Sequence, residues 1–443
     1  ELLSKYNGKQ INTIIIEQHN FSTNINLPKI NQRDYFTTIA NKIHKSSNDN
    51  AIRKNIFFKP NEILNPIIIA YNEKWLRDLS FIQDARIIAI PVKYDTNKVD
   101  IFVITKDIFP LGGNLNLKNQ NSFEASLSDD NLFGTGNALK INHNFDNTRT
   151  PKPAWGYDIQ LRNVFGSFIN LNAGISEYTN NMADDSKSAL NKYIYGELPF
   201  LHPLSNWTGG FELKELKNSN AYPSKWNDSL FNSTLNYHFD TKDFWLGYQI
   251  FFKSNPKKIR QRHIIQVRHF ENNFNTRPLN YLAQLDKNYQ NINANFISMT
   301  VFNQNIIRTK FLYGFGRNED LPIGQSISLT LGKYNRDYND IAYAGLKYEK
   351  YKLQASGTYT HLKLNMGTSY FEKQTQDFRF LSSLDLIGKL KYFENGSPYR
   401  NTFNLSLAQT IKNKFNEALL LYSNYGIPQL NKEQIKGGTR ISG

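Results

Sequence analysis

From Leu111 to the end of the chain, apolar and polar residues alternate position by position in one short segment after another. Tyr157–Phe165 sets Ile159 and Leu161 against Gln160 and Arg162, and Phe168–Ser176, Tyr193–Leu201, Ser326–Leu331 and Thr402–Ile411 repeat the rhythm. Side chains of an extended strand point to opposite faces in turn, so a period of two predicts strands with one apolar and one polar face. Clusters of Asn, Asp, Gly and Ser separate these segments at Phe145–Pro153, Asn180–Ser188, Asn218–Ser229, Asn318–Gly324 and Glu394–Arg400. Such residues close turns through side-chain bonds and left-handed backbone. The Leu111-Gly-Gly-Asn run reads as the turn that opens the region. Roughly fifteen to eighteen strand-like segments fit into it. Aromatic residues collect near their ends, at Trp155–Tyr157, Trp207, Phe244–Trp245, Tyr313 and Tyr348–Tyr351, where a membrane strand meets the headgroups.

Residues 1–110 follow a mixed rhythm. Gln10–His19 is an Ile-rich strand, and Phe21–Ser47 is a weakly periodic excursion after it. Asn48 or Asp49 caps a short helix with Ile52 and Ile56 on one face. A second helix has Asn65 as cap, Pro66 in the first helical position, and Ile67, Tyr71, Trp75 and Leu79 at spacings of four. Two strands follow, Ala85–Lys93 and Val99–Thr105, joined by a polar turn around Asp95–Lys98, with Val99, Ile101 and Val103 on one face. The order β-α-α-β-β predicts two helices over one face of a small sheet. The expected organisation is therefore a small α+β domain, 1–110, ahead of an all-β antiparallel region, 111–443.

Composition decides what kind of β structure this is. Of the 443 residues only 40% are hydrophobic, yet 14% are aromatic, which excludes a disordered chain. The mean hydropathy of −0.55 suits strands that keep half their side chains polar. The longest apolar runs, such as Pro66–Ala70 and Ala418–Tyr422, fall far short of the roughly 18–20 residues of a spanning helix. A membrane location then requires a closed barrel, which satisfies every backbone group in lipid. A soluble sandwich or propeller is the competing home for so many strands. The length of 111–443 exceeds a single sandwich, and no blade-length repeat is visible. No signal peptide precedes the polar residues after Glu1, as expected of a mature exported chain. Cysteine is absent, which excludes disulfides, thiolate metal sites, a Cys nucleophile and a lipidated Cys on this chain. The net charge of +15 is scattered, with no basic run beyond Lys257–Arg262. That argues for contact with anionic lipid headgroups or a polar lumen and against nucleic acid.

Several segments in this order resemble the BamA superfamily of outer-membrane assembly and export proteins, particularly its Bacteroidota type. In the front region they are Tyr6-Asn-Gly-Lys-Gln-Ile, Asn41-Lys-Ile-His, Ala51-Ile-Arg, the run from Tyr71 to Ala85, and Val99-Asp-Ile-Phe-Val-Ile-Thr-Lys-Asp. Asp130-Asn-Leu-Phe-Gly-Thr-Gly is similar to the family's first hairpin turn, and Phe311–Gly324 is also familiar. The resemblance implies a POTRA-like periplasmic domain feeding a transmembrane barrel of about sixteen strands when complete. Lys436–Gly443 resembles the start of the sixth extracellular loop, with Gly437, Gly438, Ser442 and Gly443 in the motif and Arg440 as a displaced stand-in for its Arg. On that reading the chain is interrupted in the loop, and about four or five strands are missing.

No chemistry stands out. Phe133-Gly-Thr-Gly lacks the third glycine of a nucleotide-binding loop and has strand pattern on both sides, so it reads as a hairpin turn. No Gly-x-Ser-x-Gly, Walker loop or His-Glu-x-x-His occurs. His263 and His269 share a strand face and read as a solvated or luminal pair. Asp129-Asp130 reads as turn residues. The expectation is a protein that is not an enzyme and needs no cofactor.

What the resemblance implies is mechanical work by strand pairing. The exposed edge of the front sheet, Ala85, Arg86, Ile87, Ile88, Ala89 and Ile90, would pair with a client or partner chain, with Pro91 blunting it. The first barrel strand, Ser122, Phe123, Glu124, Ala125, Ser126, Leu127 and Ser128, would form one side of a lateral seam. Expected partners are outer-membrane lipids, unfolded outer-membrane proteins as clients, and periplasmic proteins or lipoproteins. The expected location is the bacterial outer membrane, with the front domain in the periplasm. An assembly factor, a two-partner-secretion-type exporter, and a passive porin, receptor or structural subunit of an envelope complex all remain open at this point.

Overall fold

The computed structural model describes residues 3–19, 47–179, 182, 188–222, 236–250, 261–279, 282, 287–310, 312–313, 318–415, 419–420 and 436–442. All of the Phe21–Ser47 excursion except Ser47, including Asn41–His44, lies outside the described residues, as do Gly443 and part of the Phe311–Gly324 segment.

The front domain is built from β1 (Gln10–His19), α1 (Asp49–Arg53), α2 (Pro66–Asp78), β2 (Ile82–Val92) and β3 (Asp95–Asp107), and its sheet has the order β1-β3-β2. β3 runs parallel to β1 and antiparallel to β2. The helix caps form as their residue types predict: the Asn48 side chain accepts from Ala51 N at 2.7 Å, and the Asn65 side chain from Ile67 N at 3.0 Å. Val99, Ile101 and Val103 are fully buried, packed with Ile11, Ile52, Ile69 and Leu76. Each such side chain contributes about 1.5–3 kcal/mol of apolar burial.

Two local expectations shift. The hairpin turn falls at Lys93-Tyr94, so Asp95–Lys98 belongs to β3. On α2 the buried face is Ile69, Asn72 and Leu76, offset from the Ile67-Tyr71-Trp75 stripe. Asn72 is the cause. It is wholly buried because it accepts from Phe57 N at 3.0 Å and donates to the Asn55 carbonyl at 2.7 Å, satisfying loop backbone from the helix. Trp75 is left on the flank, with its indole N–H on Asn55 Oδ1 at 3.0 Å.

Among the described residues that follow, sixteen strands form one antiparallel sheet in which they neighbour one another in chain order. They are β4 (Leu111–Asn119), β5 (Ser122–Asp129), β6 (Ala138–Asp146), β7 (Pro153–Leu161), β8 (Asn170–Ser176), β9 (Ala189–Leu198), β10 (Trp207–Asn218) and β11 (Tyr237–Ile250). Then come β12 (Arg262–Thr276), β13 (Ile292–Lys310), β14 (Asn318–Arg336), β15 (Asn339–Leu353), β16 (Tyr359–Phe371), β17 (Gln374–Ile387), β18 (Thr402–Ile411) and β19 (Thr439–Ser442). Two compact units divide the chain, Glu1–His238 and Phe239–Gly443. Among the described residues no helix is long and apolar enough to cross a membrane.

Two segments expected as turns are strands. Leu111–Asn114 opens β4, and Asn318–Gly324 opens β14, where Asn305 pairs with Ile323 and Gln304 with Gly324. The latter needs its glycine. At φ 131° a Cβ on Gly324 would stand 1.9 Å from the Asn303 carbonyl oxygen.

The sheet's two faces are inverted relative to a soluble protein. On β14, Ile327, Leu329 and Leu331 are 46%, 48% and 47% exposed, whereas Ser326, Ser328, Thr330 and Gly332 between them are partly buried. The apolar row continues across strands, as Ile297 pairs with Leu331 and Met299 with Leu329. On the opposite face hydroxyls bond one another, Ser298 to Thr330 at 2.8 Å and Thr300 to Ser328 at 2.9 Å. In the first unit, Trp155, Tyr157, Ile159 and Leu161 line the exposed face of β7, while Asp158 on the other face accepts from Tyr193 Oη at 2.7 Å. Polar groups packed inward and aliphatic groups presented outward are favourable only when the outer medium is itself apolar.

Candidate functional site

The candidate site is a set of strand edges, since an unpaired edge presents backbone donors and acceptors that another chain can use. The end of the large sheet lies one strand earlier than expected. Ser122–Ser128 is β5, paired on both sides, and the terminal strand is β4. β4 pairs with β5 from Leu111 opposite Asp129 to Asn119 opposite Ser122, with an irregularity between Leu117 and Asn119. All nine of its residues are exposed. Leu115 and Leu117, 64% and 72% exposed, fall on one face with Leu111, and Asn114, Asn116 and Lys118 on the other. Lys118 Nζ reaches Glu124 Oε1 at 2.7 Å on that polar face. Roughly half the backbone groups of such a strand point outward from the sheet. Among the described residues no further strand pairs with β4 on its other side; in hydrocarbon each backbone group left unpaired would cost several kcal/mol.

The front edge is less open than its sequence implies. β2 is an outer strand of its sheet, which places Ala85–Ile90 at an edge. However, α2 lies along it and occupies backbone groups. The Arg77 guanidinium donates to the Ala85 carbonyl at 3.0 Å, and Ile87 N donates to Glu73 Oε2 at 2.7 Å. Arg77 and Glu73 also pair with each other at 2.8 Å, and the Arg77 side chain is only 3% exposed. The backbone N–H and C=O of Ala85 and Ile87 therefore point away from β3 and those of Arg86 and Ile88 toward it, while the Ala85 and Ile87 side chains are buried. The next outward residues are Ala89 and Pro91, and proline has no N–H to give. Free pairing capacity along β2 thus narrows to the surroundings of Ala89. Sequence reasoning passed over the signal for this, a Glu73–Arg77 pair at i,i+4 on a helix preceding the strand.

At the other end of the sheet, Thr439–Ser442 is a strand, whereas the resemblance assigns it to a loop. β19 sets Arg440 opposite Ala408, Ile441 opposite Leu407 and Ser442 opposite Ser406. Gly437 and Gly438 lead into it, with the Gly438 carbonyl accepting from Thr410 N at 2.7 Å. Arg440 is buried and lines a cavity of 130 Å³ with Lys363, Asn365, Ser382, Ser383 and Ser406, while Ile441 is 70% exposed. This strand is the last of the sixteen in the large sheet among the described residues.

Among the described residues no cluster of His, Asp and Glu is arranged to hold a metal ion. His269 lies between Asn295 Oδ1 at 2.9 Å and Glu271 Oε1 at 3.1 Å. Asp129 Oδ1 accepts from Asn131 N at 2.9 Å in the β5–β6 turn.

No protein-family profile matches the chain. Over 220 residues, 40% of the chain, it is 23% identical to the outer membrane protein assembly factor BamA of Buchnera aphidicola subsp. Acyrthosiphon pisum (strain APS). The match spans only 35% of that relative's length. Among solved structures, the chain is similar to BamA from Haemophilus ducreyi lacking POTRA domains 1–3, at 12% identity and a TM-score of 0.33, covering 90% of this chain and 81% of that one. It is also similar to CdiB from Acinetobacter baumannii, at 12% identity and a TM-score of 0.42, covering 95% of this chain and 65% of that one. A small α+β domain followed by a 16-stranded antiparallel sheet, with local sequence likeness to an outer-membrane assembly factor, is what the chain presents.

Proposed function

We propose that the chain is an outer-membrane β-barrel protein of the BamA superfamily, with its front domain in the periplasm, and that it assembles other barrels by strand pairing. The observation that carries this reading is β4, a fully exposed strand at the end of a sheet whose outer face is apolar. A client strand adding to that edge satisfies its own backbone and lays its apolar side chains into lipid in the same step. The role is mechanical, with no bond made or broken. Its partners are outer-membrane lipids, unfolded barrel proteins as clients, and periplasmic proteins or lipoproteins.

Depletion in cells tests the reading. Levels of many unrelated outer-membrane barrels should fall together. Unchanged barrels, with loss of one secreted protein, would instead identify an exporter. Unchanged barrels, with only a change in small-solute conductance, would identify a porin. Either outcome overturns the assembly role.

A further inference from the structure

Two turns of the large sheet are copies of one another. Asn131-Leu-Phe-Gly-Thr-Gly136 joins β5 to β6, and Asn163-Val-Phe-Gly-Ser-Phe168 joins β7 to β8. Their backbones repeat step for step. Phe133 and Phe165 have φ of 54° and 53°, and Gly134 and Gly166 have φ of 75° and 77°. In each, the asparagine Oδ1 closes the loop by accepting the N–H five residues on, from Gly136 at 2.8 Å and from Phe168 at 2.7 Å. A second bond also repeats, from the hydroxyl of Thr135 or Ser167 to the carbonyl three residues back, at 2.7 and 2.6 Å.

With Oδ1 so occupied, each asparagine has its Nδ2 donor to spare, and both donors enter the front domain. Asn131 Nδ2 donates to Ser47 Oγ at 3.0 Å, and that hydroxyl donates in turn to Asp107 Oδ1 at 2.9 Å. Asn163 Nδ2 donates to the Lys54 carbonyl and lies 3.3 Å from Asn55 Oδ1. Both asparagines are 2% exposed. The last position of each turn then differs in a complementary way. Gly136 leaves room for the ring of Phe81, which would stand 2.9 Å from a Cβ there. Phe168 supplies a ring of its own, 5.3 Å from Phe57 and 6.2 Å from Trp75 between centroids. Arg162 ties the pair together, donating to the carbonyls of Asp130 at 3.0 Å and Gly136 at 2.5 Å with its guanidinium beside Phe81.

We propose that this repeated asparagine turn is a two-point latch that fixes the orientation of the front domain on the first strands of the sheet. One attachment point would leave a swivel, whereas two on successive turns remove it. Domains joined by small polar interfaces ordinarily move relative to each other, and the latch is what prevents it here. The inference does not depend on the assembly role, because its readout is a distance.

The chain has no cysteine, so labels can be placed freely. Spin labels at Tyr94→Cys in the front domain and Lys152→Cys beyond the sheet, both exposed positions, report the separation by pulsed EPR on the full chain in lipid nanodiscs. The test variant is Asn131→Asp with Asn163→Asp. Each carboxylate keeps the acceptor that closes the turn but has no N–H for the front domain. The parent should give one narrow distance distribution, and the double variant should broaden it about two-fold or more, with each single change intermediate. An unchanged width in a folded double variant overturns the latch. If the double variant does not fold, Ser47→Ala removes the acceptor of Asn131 and Phe57→Ala the ring packed on Phe168, which loosens both turns from the front-domain side and leaves the turns themselves untouched. An unchanged width there overturns it equally.

Discussion

Leu329 gives the sharpest test of the inverted sheet. It sits mid-strand on β14, 48% exposed, between Ile327 and Leu331 and opposite Met299 and Leu346 on the neighbouring strands. If that face meets water, Leu329→Lys replaces a half-exposed aliphatic group with a soluble one, and stability should move within about ±0.5 kcal/mol. If it meets hydrocarbon, the ammonium must be dehydrated or must snorkel, at a cost of about 2–4 kcal/mol near the bilayer midplane. A loss of about 3 kcal/mol shifts the folding equilibrium by roughly 150-fold, well outside the error of a denaturant titration. Thr330→Lys is the internal control. It points to the polar face, where it removes only the Thr330 hydroxyl bond to Ser298, and should cost about 1 kcal/mol. Urea titrations of both variants refolded into phosphatidylcholine vesicles, followed by tryptophan fluorescence, compare them directly. Near-parental stability of Leu329→Lys, or a larger loss for Thr330→Lys, would refute the lipid-facing assignment.

Three further outcomes are expected. Glu73→Ala strips a carboxylate from the buried Arg77 and from Ile87 N. It should destabilise the front domain by about 3 kcal/mol in a chemical melt and speed hydrogen exchange at Ile87. Gly324→Ala puts a methyl where the Asn303 carbonyl stands; a loss of about 1–3 kcal/mol, or a shifted β13–β14 register by NMR, should follow. In the front domain, Thr13 and then Asn12 donate to Asp100 and hold its carboxyl below the ordinary 3.8. A lowered folded-state value means the stabilisation is complete above about pH 4 and is lost as pH falls through the folded value. Asp100→Asn should therefore flatten that acid limb in pH-dependent unfolding and leave the slope above pH 5 unchanged.

Much of the architecture was legible from periodicity. Gln10–His19 and Thr402–Ile411 coincide with strands residue for residue, because alternation bounded by turn residues admits few other placements. Asparagine and glycine misled where they serve inside strands. Gly112 and Gly113 begin β4, and Gly324 permits a close approach within β14, so composition that favours turns instead marked tight strand contact. The end of the large sheet therefore lies one strand earlier than the expected Ser122–Ser128. The occupied front edge was legible only in part: the Glu73–Arg77 spacing shows a helical ion pair, but which backbone group of β2 each side chain reaches depends on packing. The duplication of the Asn-x-Phe-Gly turn was plainly readable, but only the structure shows that both copies face the same domain.

The central claim is that β4 is the strand on which clients pair. Single cysteines placed along Gly112–Lys118, in cells expressing a barrel client with one cysteine in its terminal strand, measure this by disulfide trapping during assembly. The account predicts adducts that recur every second residue along β4, shift in register with the client cysteine, and are absent at Leu329→Cys in mid-sheet. Adducts equally frequent at β4 and β14, or none at β4 while the client still assembles, would contradict it.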